Sequence, residues 1–497
     1  MSETKLFLQK LFAANGLNIA AGRNKMFENF CAETDNISNV NQINELQKKM
    51  VSNWKLNTRI KDIQEQRLSI PNATVGKPYQ APIDFVKLGW NDIIFSEFEG
   101  LTETGLAYDN EHEIIQGTPV LSGDFKIKLL FRVQGEPENS TPNEKIIPLV
   151  INADPKSLWK TEPSNQNDKF WKEDNVHDFQ PLGDKHIVVA SKRGRSHANV
   201  GSFRDDDFAF KHFPENGWSV VAVSDGAGSA KASRKGSQIA CHEIVNYFET
   251  AFTSEVTSDF DALIKKFAQE TQTTKIEDSE IVKELKEGQA PELESNLEIT
   301  ESSKSLVSKF IYNYLGNAAR TVHKILEEFA NKNEFPLKDL HSTLIYTLFK
   351  KYDFGYVIMS FGVGDCPIGL INKDLTELKL MNWLDVGEFG GGTRFITMPE
   401  IFASDKFATR FGFKLMDDFS YLILMTDGIY DPKFVVEANL EKLDKWKEFL
   451  ADLEGNNDEQ IHVKFDKNDR EISKKLSDWM DFWSPGNHDD RTLAIVF

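Results

Sequence analysis

Cysteine is scarce: Cys31, Cys241 and Cys366 are the three in 497 residues, and they stand far apart without metal-ligand spacing. A disulfide framework is therefore excluded, and a reducing, cytoplasmic setting is expected. Basic residues are in deficit, 58 Lys and Arg against 77 Asp and Glu, for a formal net charge of -19. That balance argues against nucleic acid as a partner, because phosphate backbones attract Lys/Arg stripes. It suits the concentration of divalent cations near carboxylates. No apolar run reaches the roughly 18 residues of a membrane span, so no membrane partner is expected. The opening MSETKLFLQKLFAANGLN lacks the basic start, apolar stretch and cleavage site of a secretory leader. What the chain does have is Phe, 37 of them, enough to fill large cores. Its length suggests two to four domains.

Residues 1–66 read as helical. Ile43, Leu46, Met50 and Trp54 recur three or four apart, which puts them on one helix face. That face is expected to pack on a neighbouring element, a partner-binding helix being the alternative. Residues 67–155 change character to short β-rich runs punctuated by Gly, Pro, Asn and Asp. Phe125, Ile127, Leu129 and Phe131 alternate with Lys126, Lys128 and Leu130, the pattern of a small all-β sandwich. Within it, IIQGTPVLSGDFKIKLLF resembles a segment of bacterial immunoglobulin-like modules, which position or bind a partner and do no chemistry. Residues 156–184 are polar with isolated aromatics and read as a linker on a domain surface. Residues 185–497 mix β-rich runs with helical ones, and an acidic insertion is expected at about 270–303.

In that last region apolar strands end on acidic residues. The pieces are RDDDFAF (Asp205, Asp206, Asp207), VSDGAGS (Asp225, Gly226), VGDCPIG (Asp365), MTDGIYD (Asp427, Asp431) and HDDRTLAIVF (Asp489, Asp490). An Asp at a strand end projects a hard oxygen ligand from a rigid element. A following Gly lets the backbone turn sharply. Several such ends at one sheet edge would repel one another and raise each other's pKa unless divalent cations compensate. An oxygen-only set favours Mg²⁺ or Mn²⁺ over Zn²⁺. Any single Asp-Gly is an ordinary turn signal.

The order and wording of these pieces resemble the metal-dependent protein phosphatases (the PPM family of type 2C serine/threonine phosphatases), over about 310 residues. GRSHANVGSFRDDDF is similar to the first motif of bacterial members, VAVSDGAGSAKASRKGSQIA to the second, HSTLIYTLF with FGVGDCPIGLI to the paired central strands, GEFGGGTRFIT to the flap, and LILMTDGIYD and HDDRTLAIVF to the last two motifs. The resemblance implies an α+β fold, an α-β-β-α sandwich of two antiparallel sheets flanked by helices. Strands alternating with helices would otherwise suggest a parallel sheet. It implies catalysis through Asp206 and Asp225. It also implies two metal ions on Asp206, Asp225, the Gly226 carbonyl, Asp427 and Asp489, with Asp205 adjacent and a third, weaker metal at Asp365 and Asp431. The implied reaction is hydrolysis of phosphoserine or phosphothreonine on proteins by metal-activated water.

Two positions depart from the family pattern. Ala227 stands where many members carry a His general acid, leaving His197 and His488 as candidates. Gly201 stands where a phosphate-binding Arg is usual, leaving Arg195 favoured over Arg193 and Arg204. A phosphatase fold retained only as a binding or sensing scaffold is the alternative function, and the N-terminal modules are expected to bind a protein partner.

Overall fold

The computed structural model describes residues 3–274, 302–385, 392–403 and 405–497. Most of the expected insertion at 270–303, and residues 386–391 of the flap segment, lie outside the described residues. The chain divides into two compact units, Met1–Leu158 and Trp159–Phe497. No described helix is long and apolar enough to cross a membrane.

The first unit opens with helices Glu3–Ala14, Asn24–Ala32 and Thr34–Glu65. Leu8, Phe27, Cys31 and Val40 knot them together. The long third helix buries only Val40 and Ile63 along its length. Ile43, Leu46, Met50 and Trp54 do share a face, but that face is open to solvent, with Trp54 74% exposed. The expected packing is not made, because the helix is held by its ends. At its C-terminus the buried Lys145 donates from Nζ to the carbonyls of Ile63, Gln64 and Gln66, satisfying orphan acceptors of the last turn. Arg59 pairs with Asp92 at 2.6 Å.

The rest of this unit is two small sheets. Strands β1 (Ala73–Thr74), β7 (Asn143–Asn152), β6 (Gly123–Val133) and β3 (Ile93–Glu99) form one; β2 (Tyr79–Pro82), β5 (Ile114–Gly117) and β4 (Leu106–Asp109) form the other. Ala81 and Ile115 of the smaller sheet share a core with Ile127, Leu129, Phe131, Ile147 and Leu149 of the larger. The period-two pattern of β6 is real in three dimensions: Ile127, Leu129, Phe131 and Val133 are fully buried.

The second unit is a two-sheet sandwich. Among the described residues one sheet has the order β10 (Asp207–Phe213), β11 (Trp218–Ser224), β12 (Leu344–Tyr352), β13 (Gly355–Val363), β16 (Phe411–Met416). The other has the order β15 (Leu378–Leu380), β14 (Ile368–Asn372), β17 (Phe419–Met425), β18 (Arg491–Val496), β9 (Lys185–Lys192), β8 (Asn175–Leu182). Every described pairing within both is antiparallel. The helices Ser233–Ala251, Ser254–Thr274 and Ser303–Lys332 fall between β11 and β12, yet those strands pair antiparallel, Val221 opposite Thr347. An alternation of strand and helix therefore does not build a parallel sheet here.

Both faces of each sheet are covered, which is why its strands read as unbroken apolar runs. In β11, Val221 and Val223 face the other sheet while Val220 and Ala222 pack with the helices. In β18, Ala494 and Val496 face inward while Leu493 and Ile495 pack toward helices Asp427–Phe434, Leu443–Leu453 and Ile472–Trp479. Of the stretch expected to be a linker, 156–184, residues 159–184 are instead built into this unit: 175–182 is β8, and Leu182 is buried between the sheets.

Candidate active site

The acidic strand ends meet at one edge of the sandwich. Pairing of Asp207 with Ser224 places Asp206 and Asp225 side by side, just outside β10 and β11. Pairing of Met425 with Leu493 brings the residues after β17 and before β18 together, Asp427 and Asp489 among them. Asp365 follows the end of β13.

Glycine lets these backbones touch. A Cβ at Gly226 would lie 2.5 Å from the Asp205 carbonyl oxygen, and one at Gly428 would lie 1.9 Å from that of Asp490. One at Gly194 would lie 2.4 Å from the Asp489 carbonyl carbon. The Asp-Gly pairs thus serve close approach between motifs, rather than the sharp turn expected from the sequence: neither Gly226 nor Gly428 has positive φ.

Asp206 is fully buried. Its Oδ2 accepts hydrogen bonds from Thr426 Oγ1 and Thr492 Oγ1, each 2.8 Å. Its Oδ1 is buried and has no hydrogen-bond partner. The Asp225 backbone is fixed to Thr343, whose N–H donates to the Asp225 carbonyl at 2.8 Å and whose Oγ1 accepts from the Asp225 N–H at 2.9 Å. Burial raises the pKa of Asp206 to about 7, with Asp490 adding to it. Burial lifts Asp225 well above the carboxylate range, reinforced by Asp427, Asp206, Asp489 and Asp365. Asp427 is raised likewise by burial, then by Asp489, Asp365, Asp206 and Asp431. Burial also raises Asp489, Asp365 and Asp431. Asp365 Oδ1 is a second buried oxygen without a partner, while its Oδ2 accepts from Thr393 at 2.8 Å.

The donor set fits hard divalent cations. Mutually repelling carboxylates in a desolvated cluster, two of them with an unpartnered oxygen, lack the positive charge that would let them ionise together. Cys366, set aside in the sequence for its isolation, has its Sγ within 4.8 Å of oxygens of Asp225 and Asp365. Burial and the charges of Asp225 and Asp365 push its thiol well above the ordinary value.

Asp490, next to Asp489, organises rather than joins this cluster. Its carboxylate accepts from the N–H groups of Gly194 and Asp205 and faces His197 Nδ1 at 3.0 Å. Burial would lower the His197 pKa, but its hydrogen bond to Asp490 and the charges of Asp490, Asp205 and Asp489 outweigh it and hold it at about 9. These contacts favour the imidazolium form of His197, whose Nε2 lies 3.9 Å from Asp205 Oδ2. Burial, with Asp490, lifts Asp205 to about 6.

The other candidates go elsewhere. His488 is sandwiched between Trp159 and Trp483, at 4.3 and 4.9 Å between ring centroids, and burial lowers its pKa. Arg195 donates to the Asp481 carbonyl and lies over the Trp483 ring rather than on the carboxylates. Arg193 is spent on the carbonyls of Ser202 and Glu162. Arg204 is buried and donates to the Asp206 carbonyl. Ala227, where a His was looked for, donates its N–H to the His341 carbonyl. Thr426, Thr492 and Asp490 were not among the site residues expected, although each lies within three residues of Asp427 or Asp489.

A family comparison gives this antiparallel sandwich with an acidic edge a name. The sequence model described as "Protein phosphatase 2C" matches residues 193–481, and the chain belongs to that family. No curated protein sequence matches it. Among solved structures, the serine/threonine phosphatase Stp1 from Staphylococcus aureus is similar at 14% identity, covering 64% of this chain and 96% of that one, with a TM-score of 0.32. The S. agalactiae serine/threonine phosphatase is similar at 14% identity, over 63% and 99%, with a TM-score of 0.32. The catalytic domain of PstP in complex with two manganese ions is similar at 12% identity, over 62% and 96%, with a TM-score of 0.33.

Proposed function

We propose that the chain hydrolyses phosphoserine and phosphothreonine on proteins with two Mn²⁺ or Mg²⁺ ions. The observation that carries this reading is the convergence of buried, mutually destabilised carboxylates around the unpartnered Oδ1 of Asp206. Asp206, Asp225, the Gly226 carbonyl, Asp427 and Asp489 would hold the pair, and Asp365 with Asp431 a third, weaker ion. Bound there, such ions neutralise phosphoryl oxygens and make a water nucleophilic at neutral pH.

The chain's own residues do the rest. Thr426 and Thr492 fix the Asp206 carboxylate, and Thr343 fixes Asp225. His197 spends Nδ1–H on Asp490, so the Nε2 proton is free to pass to the leaving serine or threonine oxygen. This assigns general acid work to His197 in place of the family's His at Ala227.

The test is turnover of p-nitrophenyl phosphate and a phosphoserine peptide with Mn²⁺, native chain against Asp225→Ala. Absence of metal-dependent turnover in the native chain on both substrates would defeat the enzyme reading in favour of a scaffold. For the first unit we read an immunoglobulin-like module and a protein-binding face at Leu46, Met50 and Trp54. Crosslinking of a photoreactive residue at position 50 in cells checks the latter, and recovery of uncrosslinked protein alone would argue against it.

A further inference from the structure

The acidic run at the start of β10 has three members, Asp205, Asp206 and Asp207, and the proposed metal site uses only Asp206. Asp207 is buried and points away from the metal cluster, to Lys172 Nζ at 2.9 Å. Lys172 is itself 8% exposed. It comes from the strap 159–174, the stretch that precedes β8. The strap is stitched down along its course. Trp159 packs against His488 with tilted rings, the Glu162 N–H donates to the Ala198 carbonyl, and Asp168 pairs with Arg234 at 2.7 Å. Phe170 packs against Phe329 and Phe335.

At the end of this strap Lys172 Nζ makes two further contacts. It donates to the Asp206 carbonyl oxygen at 2.6 Å and to Ser237 Oγ at 3.3 Å. Arg204 Nη1 donates to the same carbonyl. Asp206 is thus held at two atoms: its carbonyl by two basic side chains, and its Oδ2 by two threonine hydroxyls. The one atom left over is Oδ1.

We propose that Lys172 is a positioning residue for the metal site: it anchors the Asp206 main chain so that Oδ1 is presented as the single free donor. Asp207 is then the buried counter-charge of Lys172, 2.9 Å from its Nζ. That explains why a third consecutive Asp stands in RDDDF. The inference rests on the reading of Asp206 as a metal ligand. It differs from a plain stabilising ion pair, in which Lys172 and Asp207 would serve folding alone.

Calorimetric titration of Mn²⁺ into the metal-free full chain separates the two. Asp207→Asn leaves Lys172 Nζ as a hydrogen-bond donor to the Asp206 carbonyl, whatever its charge, and is expected to bind Mn²⁺ within about twofold of native, though with a lower melting temperature. Lys172→Met, and the charge-neutral double variant Lys172→Met/Asp207→Asn, are expected to bind at least about tenfold more weakly, the usual loss when a supporting residue behind a ligand is removed. In the same variants kcat on a phosphopeptide should fall while KM stays near native. The double variant avoids stranding a buried charge, so it reports even if Lys172→Met does not fold. Native-like Mn²⁺ affinity in the folded double variant overturns the proposal. A native chain that binds no Mn²⁺ instead overturns the metal-site reading, and this inference with it.

Discussion

Two buried lysines, one in each unit, make three contacts apiece and do different work. Lys145 gives all three hydrogen bonds to the main-chain carbonyls of Ile63, Gln64 and Gln66 and so closes the end of a helix. Lys172 divides its three among a carbonyl, a carboxylate and a hydroxyl, and lies directly behind an aspartate with an idle oxygen. Burial pulls both below the ordinary lysine pKa. The difference lies in what stands on the far side. Behind Lys145 are the acceptors of a finished structural element. Behind Lys172 are groups still short of a partner. A buried cation whose acceptors are all satisfied points to folding, whereas one that leaves a neighbour's atom unpaired points to a site.

That contrast can be broken most sharply at the acidic edge. Asp225→Asn removes a carboxylate that its neighbours destabilise, so the metal-free variant should melt higher than the native chain. Its turnover should fall by at least about a thousandfold, some 4 kcal/mol of barrier. Calorimetry and a phosphopeptide assay read both, and a lower melting temperature would contradict the frustrated-cluster account. Next comes pH. A carboxyl whose folded pKa lies above its unfolded value keeps its proton longer when folded, so its contribution is full below about pH 4 and lost as pH rises through the folded pKa. Asp205 at about 6 and Asp206 at about 7 set that window. Between about pH 4 and 7 metal-free stability should fall by roughly 1.4 kcal/mol per pH unit per retained proton. Saturating Mn²⁺ should flatten the slope in urea titrations.

Lys145→Met should cost about 1–3 kcal/mol, the penalty for stranding buried acceptors, and should leave Mn²⁺ affinity and turnover untouched. Loss of turnover at that position would erase the distinction between the two lysines. His197→Gln should slow the phosphoserine peptide by about a hundredfold or more but barely affect p-nitrophenyl phosphate, whose leaving group needs no proton. Equal loss on both would make His197 structural. The smallest effect is expected at the exposed Trp54: Trp54→Glu should move stability by less than about 0.5 kcal/mol.

The sequence carried the acidic edge well, because each ligand candidate sits at the end of a strand whose apolar run is visible in one dimension. It also carried the β-sandwich pattern of β6, where one face alone is buried. Strand direction was not legible: runs covered on both faces look alike in parallel and antiparallel sheets, and only the family resemblance pointed the right way. Lys172 was missed because its partners lie 34 and 35 residues further on and its neighbourhood is polar. The same polarity made a wrapped strap read as a linker. The glycines were noticed for the wrong reason, since what Gly226 and Gly428 avoid is the backbone of another motif, at Asp205 and Asp490. The open face on Thr34–Glu65 shows the converse: amphipathic spacing marks a surface that is suited to burial without saying that the chain itself buries it.

The pairing that closes the acidic edge also fixes when the site can exist. The Gly194 N–H reaches the Asp490 carboxylate across 296 positions of sequence. β18, made after every other strand described, lies in the sheet interior between β17 and β9. Contacts between such distant positions form late, after the entropy of closing long loops has been overcome. While the chain is still emerging from the ribosome, Asp206 and Asp225 can already sit side by side with neither Asp489 nor the Thr492 hydroxyl beside them. A nascent chain stalled before residue 489 should therefore lack the proposed phosphatase activity.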